Sequence, residues 1–248
     1  MNQMSTNPLL EISHVSHSFD GTAVFTDVSL TVSPGECLSI VGPSGCGKST
    51  LLRLIAGLEA PSSGDISKNA LDLQMIFQEA ALLPWRTLRE NVELPSHLSG
   101  TTNTQSTAEL LAAVGLGGSE EKYPHQLSGG MKMRGALARA LSTDADLYLF
   151  DEPFSAIDEI TRESLQNLFL DVRRERHFSS IFVTHNIAEA VYVSDRVMVM
   201  THTSITRTTN CTFIDVPFPI SERAQSRFSP AFTELCREVH SHLEMTHS

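Results

Sequence analysis

Nine consecutive residues constrain this chain more than any others: Gly42-Pro43-Ser44-Gly45-Cys46-Gly47-Lys48-Ser49-Thr50. They fit the pattern GxxxxGK[ST] and stand between an apolar run, 37–41, and a helical run of Leu51, Leu52, Leu54 and Ile55 that ends at Gly57. Strand, glycine-rich turn and helix, in that order, is the context in which this pattern holds phosphates. The glycines let the backbone curl until successive N–H groups and a helix N-terminus face an anion. Lys48 adds a positive charge, and Ser49 offers its hydroxyl to Mg²⁺. A chance glycine turn would lack that flanking pattern.

Three further short runs, 147–150, 181–183 and 197–200, are almost wholly apolar. Continuous apolarity marks strands buried on both faces. Between them lie helical stripes such as Leu165, Leu168, Phe169 and Val172. Strand and helix in alternation imply a parallel sheet wrapped by helices. Residues 79–126 break the pattern, with polar linkers and helical signals only. Ser106 and Glu109 fit a capping box ahead of Leu110, Leu111 and Val114, and Gly115 is placed to end that helix. The Ser, Thr and Asn of 96–107 predict an exposed loop. Ser229 and Pro230 suit the start of a helix with Phe232, Leu235, Val239 and Leu243 on one side.

Of the 248 residues, 29 are Asp or Glu and 18 Lys or Arg, a formal net charge of −11. No overall basic field exists to attract a phosphate backbone, so nucleic acid is not an expected partner. No run of about 18 apolar residues occurs, and residues 1–10 lack a secretory signal, so a cytosolic chain that does not span a membrane is expected. Cys37, Cys46, Cys211 and Cys236 show no zinc spacing and are expected as reduced thiols. His14 with His17 and His240 with His242 lack further ligands nearby in sequence.

A second candidate site follows the run 147–150, which ends in Asp151-Glu152-Pro153. In open parallel sheets ligand chemistry gathers at the carboxyl ends of strands. There Asp151 would hold Mg²⁺ and Glu152 would polarise the water attacking a γ-phosphate. Two acids at a turn could also cap a helix or simply be solvated. The third candidate is Leu127-Ser128-Gly129-Gly130-Met131 before a helical stretch, a second glycine turn suited to an anion.

With these three motifs in this order, from about residue 9 to 243, the sequence resembles the ATP-binding cassette (ABC) family. The resemblance implies an α/β fold: a P-loop NTPase core with a mainly parallel sheet (9–78 and 135–215), an antiparallel N-terminal β part, an inserted helical subdomain (79–134) and a C-terminal extension (216–248). It also implies an ATPase using ATP and Mg²⁺. Ser128, Gly129 and Gly130 match the family signature that contacts the γ-phosphate held by the opposite subunit. Phe19 matches the aromatic that stacks on adenine. Gln78 matches the glutamine before the helical subdomain, counted here with the catalytic groups and the Mg²⁺ ligands. Asp158, in Ser155-Ala156-Ile157-Asp158, resembles the loop that crosses the dimer interface, and His185 matches the switch histidine thought to contact the γ-phosphate.

Within the family, Leu82-Leu83-Pro84-Trp85-Arg86-Thr87, Tyr123-Pro124-His125-Gln126 and the tail resemble the nitrate, sulfonate and taurine importer branch. The expected partners are a membrane permease dimer, a second copy or a paralogous ATPase and, indirectly, a periplasmic or lipoprotein solute-binding protein. The expected place is the cytoplasmic face of the inner membrane. A soluble ABC ATPase of iron–sulfur assembly, repair or translation is the alternative. Three departures stand out: Lys132-Met133 after the signature, a short segment 64–74 expected to trim an edge strand, and 201–210 without the usual basic Arg-Pro-Gly element. Trp85 either packs inward, as Trp usually does, or lies where the family docks its permease.

Overall fold

The computed structural model describes residues 7–68, 72–100, 105–155, 157–202 and 209–244. They form two compact units, one built from the segments up to residue 71 and from 177 onward, the other from 72–176.

The first unit begins with antiparallel strands β1 (Leu10–Phe19) and β2 (Thr22–Val32). Asp20 and Gly21 join them at φ 48° and 78°. That is the left-handed pair a two-residue hairpin demands, and Asp-Gly adopts it at little cost. Alternation, shifted by one residue where His14 and Asp27 take positive φ, puts Leu10, Ile12 and Val15 of β1, and Phe25, Val28, Leu30 and Val32 of β2, into the core. Strand β3 (Cys37–Val41) is buried at every position, as its continuous apolarity requires. Strand β4 (Ser63–Lys68) pairs with the free side of β1, giving the order β2-β1-β4. Among the described residues this segment adds one edge strand to β1 and no second, the trimming expected from its length. Residues 69–71 lie outside the described residues.

In the second unit, β5 (Leu73–Ile76) runs parallel to β6 (Leu147–Asp151). Back in the first unit, β7 (Ser179–Val183), β8 (Arg196–His202) and β9 (Thr209–Asp215) join β3 in the order β7-β3-β8-β9, all parallel except β9. The core is thus mainly parallel with an antiparallel N-terminal part, as expected. β9 falls partly in the segment singled out for its missing basic element; residues 203–208 lie outside the described residues.

Helix α1 (Lys48–Ala56) belongs to the first unit and stops at Gly57, φ 75°. The second unit holds α2 (Leu88–Ser99), α3 (Thr107–Ala113), α4 (Gly129–Ala140) and α5 (Glu159–Arg176). Between 79 and 126 no strand occurs among the described residues. Ser106 and Glu109 form both bonds of the expected capping box, and Ser106 N–H holds the Glu109 carboxyl below its ordinary range. The expected exposed loop 96–107 needs correction. α2 continues to Ser99, Ser96 is buried with Oγ donating to Glu93 O at 2.8 Å, and Thr107 opens α3 in a buried position. A Ser hydroxyl bonded to the preceding turn is accommodated inside a helix; residues 101–104 lie outside the described residues.

The first unit closes with α6 (Ile187–Val193), α7 (Arg223–Ser226) and α8 (Pro230–Glu244). Ser229 Oγ accepts from Phe232 N–H at 3.1 Å, and α8 buries Phe232, Leu235 and Val239 against α6 and β8. Among the described residues no helix is long and apolar enough to cross a membrane.

Candidate active site

In the first unit the run 42–50 is the turn between β3 and α1. Its glycines answer to sterics. A Cβ on Gly42 would stand 2.2 Å from Met200 O, and one on Gly47 2.7 Å from Phe25 Cδ1. Gly45 and Gly47 have φ of 81° and 98°. Pro43, Ser44 and Gly45 are exposed, whereas Gly42, Cys46 and Lys48 are buried. Lys48 Nζ donates to Gly42 O at 2.8 Å and Pro43 O at 3.1 Å, so its ammonium is held in the curl of the loop. Gly47 caps α1 without a side-chain bond, and no acid occupies the first turn. A helix N-terminus with no carboxylate in it and a cation beside it suits phosphate. Ser49 and Thr50 follow, both half-buried. Burial pushes the Cys46 thiol up, against the pull of Lys48, so it stays protonated at neutral pH.

Parallel pairing brings a second element to this end of the sheet. Ile40 lies opposite Val183, so the loop after β3 and the turn after β7 emerge side by side. That turn carries His185, exposed between two pinned neighbours. Thr184 Oγ1 donates to the buried Glu189 and accepts from Asn186 N–H at 3.1 Å, and Asn186 Oδ1 accepts from Glu189 N–H at 3.1 Å. The sequence alone assigns no role to Thr184 or Glu189; the Thr-His-Asn-x-x-Glu spacing is the signal that marks them. Phe19, about half exposed, meets His17 edge-to-face at 4.7 Å, and His17 lies 6.4 Å from Phe25, the residue against Gly47.

The second unit assembles the other candidates. Ile76 pairs with Phe150, so Gln78 and the carboxylates Asp151 and Glu152 leave adjacent strands at the same end. Glu152 has φ 47°, rare for a residue with a side chain, and its carbonyl accepts from Ser155 N–H and Oγ–H at 3.2 and 2.9 Å. Asp158 is exposed; Thr161 N–H donates to its Oδ1 at 3.0 Å and holds the carboxyl below its ordinary range. Ala156 lies outside the described residues. Ser128 caps α4, accepting from Met131 N–H at 3.2 Å. Gly130 is buried where a Cβ would come within 2.4 Å of Thr161 Cγ2, so the glycine lets α4 and α5 approach while Ser128 and Gly129 face outward. Trp85 is 71% exposed, which removes the inward-packed alternative. Near it in sequence an open pocket of about 480 Å³ is lined by Leu82, Pro84, Pro124, His125 and Met133.

A phosphate loop between a buried parallel strand and a helix, with a histidine turn at the same sheet end, defines a nucleotide-binding protein. The chain belongs to the ABC transporter family, whose model matches residues 25–155. ABC ATP-binding proteins are ATPases, and so is this chain. It is similar to the aliphatic sulfonates import ATP-binding protein SsuB of Bacillus licheniformis, 40% identical over 91% of this chain and 89% of that one. SsuB 1 of Rhodococcus jostii is 46% identical over 80% of this chain and 81% of its own length. The nitrate import ATP-binding protein NrtC of Synechococcus elongatus is 39% identical over 95% of this chain, which spans 38% of that longer protein. Among solved structures, an inward-facing metal-chelate type ABC transporter matches with a TM-score of 0.72 at 22% identity, covering 85% of this chain and 84% of that one; this shows the fold.

Proposed function

We propose that this chain powers import of a small oxyanionic solute of the sulfonate or nitrate kind, by hydrolysing MgATP against a membrane permease. The observation that carries the reading is its match, along nearly the whole of both chains, to sulfonate import ATP-binding proteins. A soluble ABC ATPase has no such support.

In this reading Lys48 and the N–H groups of 44–50 hold the phosphates, and Phe19 stacks on the base. Mg²⁺, when bound, neutralises charge on the transferring phosphoryl group, and Ser49, Gln78 and Asp151 are the residues that would hold it. Glu152 accepts the proton of the attacking water. His185 donates to the γ-phosphate. Ser128, Gly129 and Gly130 serve the nucleotide of a second copy, and Asp158 lies at that junction. The outward-facing Ser128 and Gly129 support this shared arrangement. The helical insertion 79–134 presents Trp85 to the permease at the cytoplasmic membrane face, and the solute-binding protein acts from the far side. An exposed Trp suits an interface anchor.

The test is uptake. A deletion strain should lose growth on a sulfonate as sulfur source or on nitrate as nitrogen source. The native chain should restore it and Lys48→Ala should not. Restoration by Lys48→Ala would refute the nucleotide role of the loop, and undiminished uptake of both solutes in the deletion strain would refute the solute class.

A further inference from the structure

The geometry points to His202 as a positioning residue for the phosphate loop, one that sets the direction of the Gly47 N–H through the peptide group it shares with Cys46. This rests on the nucleotide reading of the loop. His202 is the last residue of β8, and its Nε2 lies 3.1 Å from Cys46 O in the middle of the loop. A carbonyl oxygen only accepts, so Nε2 carries the hydrogen and donates it. Nδ1 is then the acceptor, and Thr209 Oγ1–H, 3.2 Å away on the paired strand β9, donates to it. Thr209 Oγ1 in turn accepts from Thr26 N–H at 2.9 Å, and Thr209 N–H donates to Thr26 Oγ1 at 3.3 Å. In the neutral ring the tautomer thus follows from the Cys46 carbonyl, and the Thr209 hydroxyl, able both to accept and to donate, completes the series.

A trans peptide is planar, with its C=O and N–H directed oppositely. Drawing Cys46 O toward His202 therefore turns Gly47 N–H away from β8. Gly47 is the residue that caps α1, at φ 98°, a conformation that glycine adopts and leaves with little cost. Without an anchor its peptide could flip; two anchors prevent that. His202 holds the carbonyl side, and Phe25 and Val24 of β2 close on the glycine itself. Met200, two residues before His202, supplies the carbonyl that excludes a side chain at Gly42, so the same strand meets the loop at its start and at its middle. The bond acts equally on bound nucleotide and on the transition state, so it should show in KM more than in kcat.

The experiment compares His202→Gln, His202→Asn and His202→Leu in the full chain, with MgATP affinity from fluorescent-nucleotide titration, kcat and KM from phosphate release, and thermal melting as a control. Gln places an amide N–H₂ where Nε2 stands; Asn carries the same amide but is too short to reach Cys46 O. Asn and Leu should bind MgATP about threefold to tenfold more weakly, with KM raised by the same factor and kcat within about twofold. Gln should stay within about twofold of the native chain. Because Gln and Asn are equally polar, their contrast survives even if Leu unfolds. Native affinity in the Asn variant, or equal loss in the Gln and Asn variants, would overturn the assignment. A native chain that fails to bind MgATP would instead overturn the nucleotide reading.

Discussion

Gly47→Ala examines how the loop is braced, and Gly45→Ala is its internal control. Both glycines sit at positive φ, 98° and 81°. A Cβ on Gly47 would lie 2.7 Å from Phe25 Cδ1 and 2.9 Å from Val24 Cγ1, whereas one on Gly45 would have nothing within 4 Å. Left-handed backbone costs a residue with a side chain about 1–2 kcal/mol. Forcing a carbon into a packed site costs about 1–3 kcal/mol more. Gly45→Ala should therefore destabilise by about 1–2 kcal/mol, and Gly47→Ala by about 2–5 kcal/mol. Urea unfolding followed by far-UV circular dichroism resolves the two, because that gap should move the midpoint by roughly 0.5–1 M at an ordinary slope. Equal midpoints would show that Phe25 and Val24 yield freely and that β2 does not brace the loop. A Gly47→Ala midpoint equal to that of the native chain would also refute the left-handed requirement.

Glu152→Gln should keep MgATP affinity but lower turnover by about a hundredfold or more, since the amide cannot accept a proton; near-normal phosphate release would show that Glu152 is not the base. Trp85→Ala should leave the isolated chain folded to within about 0.5 kcal/mol, because an exposed side chain contributes little to the fold, while transport with the permease falls. A melted variant would return Trp85 to the core. Arg223, 1% exposed, donates to the carbonyls of Phe218, Val191, Tyr192 and Ser194. Arg223→Met should cost about 3–5 kcal/mol in denaturant unfolding, through buried carbonyls left without donors; a loss under about 1 kcal/mol would mean water replaces the guanidinium.

The strands most legible in the sequence are those with least freedom. β3, β6 and β7 are buried almost end to end, so each reads as an unbroken apolar run. β9 buries only Thr209 and Ile214 at the sheet edge, and its mixed polar pattern hides it. The loop 42–50 is legible because its chemistry is contiguous. His202 is not, since its role arises only when β8 and β9 pair and bring Thr209 opposite it. The capping box of Thr87 and Glu90 was there to be read, but it falls in a segment dominated by Leu82, Leu83, Pro84 and Trp85, where packing and docking compete as explanations. That choice depended on exposure, which a pattern does not encode.

Glu152 stands at φ 47° directly after β6, a conformation costing a residue with a side chain about 1 kcal/mol or more. A library of this chain screened for heat resistance alone should therefore enrich glycine or asparagine at 152, whereas a screen on solute uptake should purge both. With Glu152 as the proposed base, thermostable offspring of the first screen should be catalytically silent, and position 152 is where sequencing should look first.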